Sequence, residues 1–516
     1  MGEKRKALAP SKKKVKSTKS DVDKPAVADL AEAVLESTKN YNKIVTLLGY
    51  VDDAEVSEEA IASLVKVFGV LIKRGALKTS KSQTEAQKTV VTWLRNQYNR
   101  FTEMLLSIIQ NEEQEELYLV ALSAFMKLVK AEAKYHGEPP ANRLFGNIIN
   151  ALAKASSTVA DNFVDEYIEQ YDDLRYHLYN HVESIATRAY ENKDLKTAKV
   201  LSDGLVDMLI SVTSFSENDE EIESFYFPVP EMTKSAIKQG SALKASSHKA
   251  AFQRAWLSVL RLPLTVDQYK AILIVLHKRI IPRMSKPQLL MDFLTDAYNS
   301  GGAVALLALN GLFSLMQQYN LDYPDFFTKL YALFDSSIMH ARYRSRFLRL
   351  VDLFLSSSHL PVAIMASFIK RMARLSLHAP PSAIIAVVPF IYNQLKRHPA
   401  CMKMIHNPDA GNDYQDPFDE QEKDPLRTNA LDSSLWELAT LQTHYHPNVA
   451  TLAKIMSQPF RKPNYSLEDF YNHTYGQLIQ AELTKKIRSK PALEFEEFKM
   501  FDDDESPNVY MSGWTW

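Results

Sequence analysis

Cysteine is almost missing from the chain, since Cys401 is the only one among 516 residues. A single cysteine cannot form a disulfide within the chain, and it excludes zinc and iron–sulfur sites that need several cysteine ligands. Proteins of oxidising compartments commonly carry disulfides, so this count is typical of a reducing compartment. We therefore expect a protein of the nucleus or the cytosol.

Glycine is also scarce, at 14 of 516 residues, well below the roughly 7% that is usual. Glycine supplies the positive-φ turns and bulges that sheets use often. Apolar residues instead recur at helical spacing, as at Met365, Phe368, Ile369 and Met372, and no stretch shows the alternation of a half-buried strand. Both observations predict an all-α fold.

The sequence signatures of catalysis and metal binding are absent. The chain contains no GxxxxGK[ST] or GxGxxG loop, no GxSxG elbow and no HExxH. Cys401 and His398 are close in sequence, but no motif supplies an oxyanion hole for them. His444 and His446 share a face if extended, yet a metal site needs further ligands, with His473 as the nearest candidate. We predict no enzyme, no cofactor and no catalytic or metal-binding residue.

No segment has the character of a signal peptide or a membrane span. The first twenty residues lack an apolar stretch of signal-peptide length. The longest uncharged run, residues 297–321, is interrupted by Asn, Gln and Gly residues that a bilayer penalises. We therefore predict neither secretion nor a contact with membranes.

Basic and acidic residues are concentrated in different segments of the chain, although their totals of 61 and 62 nearly cancel. Residues 1–20 carry eight basic side chains and one acidic one, with too few apolar residues to fold. We predict a disordered basic tail over residues 1–25. It is either a solvated end or, as we favour, a nuclear and nucleolar import signal that also contacts phosphates. The candidate signal residues are Lys4, Arg5, Lys6, Lys12, Lys13, Lys14 and Lys16.

A second charge imbalance lies in the carboxyl-terminal half. Residues 336–400 contain nine basic residues and the lone acid Asp352, whereas residues 401–440 contain nine acids and three basic residues. Guanidinium groups match phosphates and carboxylates equally well. Two interpretations therefore stay open, namely contact with RNA or an acidic partner, and pairing within the chain. The candidate residues are Arg342, Arg344, Arg346, Arg349, Lys370, Arg371 and Arg374.

Helix starts recur regularly along the chain. From Thr265 to Pro381 the steps are 17 to 21 residues, so two helices occupy about 39 residues, close to the helix-pair units of HEAT and armadillo repeats. We predict a HEAT-like or armadillo-like helical-repeat solenoid, in which residues 160–190 form one helix. The predicted divisions are the basic tail 1–25, an amino-terminal helical-repeat region 26–214, a linker 215–245, a carboxyl-terminal helical domain 246–500 and an acidic aromatic tail 501–516.

Two aromatic clusters stand outside the predicted helices. Phe225, Tyr226 and Phe227 lie in the predicted linker and either pack against a helix, which we favour, or dock a partner. The acidic tail ends in Trp514 and Trp516, side chains that are costly to leave in water. This tail is either a docking peptide or a segment tucked onto its own domain.

Residues 416–449 and 460–475 combine unusual residues in a fixed order. They read DPFDEQEKDPLRTNALDSSLWELATLQTHYHPNV and FRKPNYSLEDFYNHTY. The prolines keep residues 416–425 out of a helix. A helix is predicted to start after Asp432 or Ser433, whose side chain caps it, and Pro447 either stops this helix or kinks the turn that follows it.

The words DPFD, ALDSSLWEL, LQTHYHPNV and LEDFYNHTY resemble the CCAAT-binding-factor domain family of nucleolar complex proteins. The resemblance is strongest over residues 416–475 and extends over about 246–495. It implies stacked helices, a location in the nucleolus and nucleus, and a non-enzymatic role in small ribosomal subunit biogenesis. It further implies pre-ribosomal RNA processing within the small-subunit processome, maturation and export of the particle, and a heterodimer with the nucleolar protein Nop-fourteen.

The motif region is either a surface for that partner or the packed core of the last repeat. A helical-repeat nuclear transport adaptor is the alternative function, although it gives no reason for the DPFD to HYHPNV block. Direct contact with pre-ribosomal RNA is also left open. The candidate interface residues are Trp436, His444, Tyr445, His446, Phe470, Tyr475, Trp514 and Trp516.

Overall fold

The computed structural model describes residues 27–53, 56–78, 84–111, 115–136, 143–227, 240–357, 360–406 and 414–486. Both predicted tails, with the candidate residues from Lys4 to Lys16 and Trp514 and Trp516, lie outside the described residues. Within these ranges every regular element is a helix, which confirms the predicted all-α class. The chain divides into two compact units, Met1–Tyr323 and Pro324–Trp516.

The first unit is built from stacked helices joined by short 3-10 and π turns. The helices are α1 (Val27–Glu36), α2 (Lys43–Gly49), α3 (Ser57–Lys73), α4 (Glu85–Gln110), α5 (Glu115–His136), α6 (Arg143–Leu152), α7 (Ser157–Phe163), α8 (Asp172–Glu191), α9 (Leu195–Ser211), α10 (Ala245–Val259), α11 (Val266–Val275), α12 (Met291–Asn299) and α13 (Gly302–Tyr319). Helix α3 packs against α1 and α5, and α4 packs against α5. Helix α8 packs against α9 and along α10, while α13 packs against α11 and α12.

The single helix predicted over residues 160–190 is wrong, because the structure divides it. Helix α7 runs into a π turn at Val164–Ile168, and α8 begins at Asp172 after the extended residue Tyr171. The helix is interrupted where its carboxylates bind another segment. Glu169 accepts hydrogen bonds from the backbone N–H groups of Thr213 and Ser214. Amphipathic spacing alone gives no sign of this long-range contact.

Two of the three aromatic residues of the predicted linker pack within the first unit, as predicted. Tyr226 and Phe227 are buried, and their backbone N–H groups donate to the Asp173 carboxylate at 3.0 and 2.9 Å. The hydroxyl of Tyr226 donates to the carbonyl oxygen of Met126 at 3.1 Å. The described ends of the predicted linker therefore connect α9 and α10, which belong to the same unit.

A close approach of α9 to residues after α6 requires Gly204, because a β-carbon there would overlap the carbonyl group of Ala153. Since this obstacle is backbone, we expect Gly204→Ala to destabilise the protein by about 1–3 kcal/mol, the usual cost of overpacking. Gly69 on α3 is the matched control, since a β-carbon there meets nothing within 4 Å. Gly69→Ala should stabilise the chain by about 0.5–1 kcal/mol. Urea unfolding measures the change in the free energy of unfolding for both variants. Equal effects would show that the close approach does not require Gly204.

The second unit centres on two buried helices, α17 and α18, which pack against each other. Every residue from Ser382 to Leu395 in α18 is buried, and α20 and α21 pack on it. The helices start at or next to the predicted residues, because Pro361 is the N-cap of the first and Pro381 is the first residue of the second. The helices are α14 (Phe326–Ala332), α15 (Ser336–His340), α16 (Arg344–Phe354), α17 (Val362–Ser376), α18 (Pro381–Arg397), α19 (Trp436–Thr440), α20 (Pro447–Ala453), α21 (Glu468–Tyr471) and α22 (Tyr475–Thr484).

Candidate functional site

A buried lysine organises the motif region of the second unit. Lys370 on α17 is 0% exposed. Its ammonium group lies 2.8 Å from Oδ2 of Asp416 and 2.7 Å from Oε1 of Glu437, and it donates to the carbonyl oxygen of Ser434 at 2.6 Å. Three elements that are distant in sequence therefore meet at one charge, because a buried ammonium group requires partners.

Glu437 is the buried acid of this network, with an exposure of 0%. Burial raises the pKa of Glu437, while its contacts with Lys370 and Arg374 act in the opposite direction. The guanidinium Nε of Arg374 lies 3.6 Å from Oε1 of Glu437. Two cations thus hold one carboxylate inside the fold, which compensates part of its desolvation.

Trp436 closes the same network from outside. Its indole N–H donates to Oδ2 of Asp416 at 3.2 Å, and the guanidinium carbon of Arg374 lies 4.9 Å from the centre of a Trp436 ring, within cation–π range. The side chain remains 41% exposed. Trp436 therefore packs on the network with part of its surface available to solvent.

The DPFD sequence, residues 416–419, holds the acidic loop of residues 416–425 against α17. Asp416 accepts the backbone N–H of Phe418 at 3.2 Å through its other oxygen, and the Phe418 ring centre lies 5.6 Å from the Lys370 ammonium group. Further along, the side chain of Thr428 contacts the hydroxyl of Ser367 at 2.6 Å. The acids and prolines of this motif thus fix a loop without a helix of its own.

The cap predicted for the motif helix is wrong. Helix α19 begins at Trp436, with Leu435 at its N-cap. Asp432 instead pairs with Lys403 at 2.6 Å, and the hydroxyl of Ser433 donates to the carbonyl oxygen of Ala430. Tertiary partners outcompete the capping interaction here, which local sequence cannot reveal.

Five of the seven candidate cations make contacts inside the second unit. Lys370 and Arg374 pair with Glu437, and Arg371 donates to the carbonyl oxygen of Glu420 at 3.0 Å. Arg349 grips both carboxylate oxygens of Glu468 at 2.7–2.9 Å. Arg344 donates to the carbonyl oxygens of Met339 and His473 at 2.8 and 3.3 Å. Pairing within the chain therefore accounts for most of this run.

Arg342 and Arg346 differ from the other five. Both are exposed, and within the described residues neither makes an ion pair or a side-chain hydrogen bond. Arg342 precedes α16 by two residues, and Arg346 lies in the first turn of that helix. They are the members of the run that are available to an outside partner.

The HYHPNV sequence forms a rigid corner. Nδ1 of His444 accepts the backbone N–H of His446 at 3.0 Å, and Nδ1 of His446 accepts that of Asn448 at 3.3 Å. Burial and the neighbouring His446 lower the pKa of His444, which favours the neutral acceptor form. Pro447 does not stop a helix, contrary to prediction; it begins α20, where its missing N–H costs little.

Tyr445 protrudes between the two fixed histidines, with 81% of its surface exposed. Its ring centre lies 4.3 Å from that of His444. Tyr475, at the start of α22, is 54% exposed, whereas Phe470 is half-buried, 6.0 Å from the Tyr465 ring. The described interface candidates thus divide into two exposed tyrosines, Tyr445 and Tyr475, and residues that the chain partly covers.

Cys401 is buried, and burial raises the pKa of its thiol to about 11. A thiol in this environment is protonated and unreactive at neutral pH. Among the described residues no group of three or more His, Cys, Asp or Glu side chains is arranged to hold a metal ion. No helix in the described ranges combines the length and hydrophobicity needed to cross a membrane.

The fold and this site define an all-α helical-repeat protein whose carboxyl-terminal motif presents exposed aromatic side chains. Residues 305–453 match the model of the CBF/Mak21 family, and residues 16–192 match that of nucleolar complex protein 4-like TPR repeats. The chain belongs to the nucleolar complex protein 4 family. It is therefore a nucleolar protein of ribosome biogenesis.

The relatives resemble this chain over nearly its full length. Nucleolar complex protein 4 of Saccharomyces cerevisiae is 37% identical over 93% of this chain and 96% of its own. The human nucleolar complex protein 4 homolog is 36% identical over 90% and 92%. An uncharacterized protein of Schizosaccharomyces pombe is 43% identical over 91% and 97%. The two relatives that carry functional names are named as nucleolar complex proteins, not as enzymes.

Proposed function

We propose that the protein is a non-enzymatic scaffold of small ribosomal subunit biogenesis that acts as a heterodimer with a Nop-fourteen-type nucleolar protein. In this role it supports pre-ribosomal RNA processing within the small-subunit processome, and maturation and export of the particle. The observation that carries the proposal is the identity of 37% over 93% of the chain to a nucleolar complex protein. Stacked helices suit the role, because they offer extended surfaces for long partners.

The interface that we propose lies around the motif of the second unit. Trp436, His444 and His446 are held by contacts within the chain. The two histidines flank Tyr445, which is exposed. Rigid, exposed aromatic side chains lose little conformational entropy when a partner buries them. A nuclear transport adaptor remains the alternative function, but no contact in this unit favours it.

Affinity purification of the tagged chain from nuclear extract, with and without nuclease, tests the proposal. We expect a near-equimolar large nucleolar partner that survives nuclease, together with small-subunit precursor RNA that does not. Precursor RNA that is retained without any protein partner would contradict the heterodimer. Recovery of transport factors and diverse cargo without ribosomal precursors would favour the adaptor instead.

We expect Tyr445→Ala to weaken the heterodimer about tenfold or more, because central aromatic anchors dominate interface energies. The free energy of unfolding should change by no more than about 0.5 kcal/mol, since the side chain is 81% exposed. Titration of labelled chain with the purified partner measures the first effect, and urea unfolding the second. Tyr190→Ala, which removes a 58% exposed tyrosine from the first unit, is the control. Equal affinities for both variants would reject Tyr445 as an anchor.

A further inference from the structure

The helix α22 exposes an apolar stripe. Tyr475, Ile479 and Leu483 are 54%, 60% and 80% exposed, and side chains four residues apart lie on one face of a helix. Gly476 borders the stripe, and a β-carbon there would meet only the Thr474 hydroxyl oxygen, at 3.9 Å. The face is therefore apolar along its length and open to close approach.

Few contacts hold this helix in place. Leu478 is the one buried residue among the ten. A capping box helps, since Thr474 and Gln477 bond each other's backbone N–H groups at 3.1 and 3.3 Å, but a cap contributes only about 1 kcal/mol. Isolated helices of this length are marginal in water. A contact on the exposed face would supply the missing stabilisation.

Cations lie near the amino-terminal end of the stripe. The bond from Arg344 to the carbonyl oxygen of His473, at 3.3 Å, places the first turn of α16 beside the start of α22. Arg342 and Arg346 flank Arg344 in sequence, are exposed, and have no ion pair within the described residues. This end of the stripe therefore attracts acidic groups.

The carboxyl-terminal end of the stripe is also basic. Lys485 and Lys486 follow the helix and are exposed. Glu482 is paired with Lys485 at 3.6 Å and Glu468 with Arg349 at 2.7 Å. Asp469 on α21 is exposed and has no ion pair among the described residues. The cations outnumber the acids around an uncharged apolar stripe.

We propose that α22 docks an amphipathic helix of the protein partner, one with apolar side chains every three or four residues and acidic flanks. This inference rests on the proposed function, because the docked helix belongs to the other member of the heterodimer. Charge complementarity selects an acidic segment. Three side chains offer far less than the roughly 800 Å² per partner of an independent interface. The stripe therefore serves a partner that also binds elsewhere, such as at Tyr445, and not a second copy of this chain.

A dye at residue 479 tests the docking directly. Ile479→Cys takes a thiol-reactive, environment-sensitive dye selectively, because Cys401 is buried and its pKa is raised to about 11. Leu289→Cys, at a 51% exposed position in the first unit, is the matched control. On addition of the purified Nop-fourteen-type protein, we expect a blue shift of the dye at 479 and none at 289.

Charge and apolar variants complete the test. Ile479→Asp with Leu483→Asp should weaken the complex at least tenfold, with the helical circular dichroism largely unchanged. Lys485→Glu with Lys486→Glu should weaken it at low salt, and the difference should shrink as salt screens the charges. A complex that forms on gel filtration while the dye at 479 and these affinities stay unchanged overturns the inference and leaves the proposed function standing. Absence of any complex overturns both.

The chain contains a competing segment in its own sequence. Residues 493–505 read LEFEEFKMFDDDE, which combines apolar and acidic side chains close after α22. A variant that ends at Lys486 lacks this segment, so it shows whether the segment or the partner helix covers the stripe. If the dye at 479 moves to a more aqueous environment on this truncation, before partner is added, the chain's own segment covers the stripe and the inference is wrong. We expect no such change.

Discussion

Lys370→Met is expected to destabilise the protein by about 3–5 kcal/mol. The substitution keeps the length of the side chain but removes the charge that lies 2.7 Å from Glu437 and 2.8 Å from Asp416. Glu437 is fully buried, so its carboxylate is left without its nearest cation, and removal of one partner from a buried ion pair costs this much. Urea unfolding at neutral pH measures the difference in free energy.

The destabilisation by Lys370→Met should shrink on acidification. Burial already raises the pKa of Glu437, and contact with Lys370 is one of the interactions that lower it, so the substitution raises it further. A carboxyl group whose pKa is higher in the folded state stabilises the fold at low pH and loses that contribution as pH rises through the folded pKa. The loss should therefore be smaller at about pH 5 than at pH 7.5. A loss independent of pH would show that Glu437 is not the group left unpaired.

Two further variants separate charge from packing at Lys370. Lys403→Met removes a cation that is paired at 2.6 Å with Asp432 but is exposed, and we expect a loss below about 1 kcal/mol. Lys370→Met combined with Glu437→Leu should recover much of the stability, because apolar replacement of both partners is often tolerated. If the double variant does not recover stability, the destabilisation by Lys370→Met comes from packing and not from the unpaired charge of Glu437.

The helix boundaries of the second unit follow from local signals. Pro361 immediately precedes α17, Pro381 is the first residue of α18, and Thr265 in the first unit forms a capping box with Gln268. Each signal acts within three or four residues of its own position. Local chemistry of this kind is readable in a single sequence, which is why the helical class and most helix starts were predictable.

The partners of the charged residues could not be predicted in the same way. Lys370 meets Asp416 across 46 residues, and Arg349 meets Glu468 across 119. The sequence shows a basic run followed by an acidic one, but not which cations turn inward. Only the packing of α17 against the acidic loop separates Lys370 from the exposed Arg342 and Arg346. The sequence therefore shows which cations can bind phosphates or carboxylates, but not which of them pair within the chain.

The stripe on α22 was only partly visible in the sequence. Tyr475 belongs to the LEDFYNHTY motif and is therefore an interface candidate, whereas Ile479 and Leu483 have the spacing of an ordinary core-facing helix. Leu478 lies on the buried face, next to Ile479, which is 60% exposed. Periodicity predicts that a face is apolar but not whether the chain itself covers it, so an uncovered face is recognised only in the structure.

Asp172→Ala is expected to destabilise the first unit by about 3–5 kcal/mol. Asp172 is 3% exposed; it pairs with Arg175, accepts the hydroxyl of Ser216 at 2.8 Å and accepts the backbone N–H of Ser224 at 3.2 Å. Without this carboxylate the guanidinium group of Arg175, which is 6% exposed, loses its ion-pair partner in the interior. Urea unfolding measures the loss of stability.

The same substitution should release the segment that Asp172 ties to α8. Limited proteolysis should cut residues 213–227 faster in Asp172→Ala, since the bonds to Ser216 and Ser224 are lost with the carboxylate. Asp194→Ala is the control, because it removes an exposed N-cap of α9 that bonds the backbone of Lys196 at 3.2 Å, at a cost of about 1 kcal/mol. If both variants lose equal stability and are cut at equal rates, the buried carboxylate does not hold this segment. If only Asp172→Ala is cut faster, the Asp172 carboxylate at the start of α8 holds the segment that follows α9.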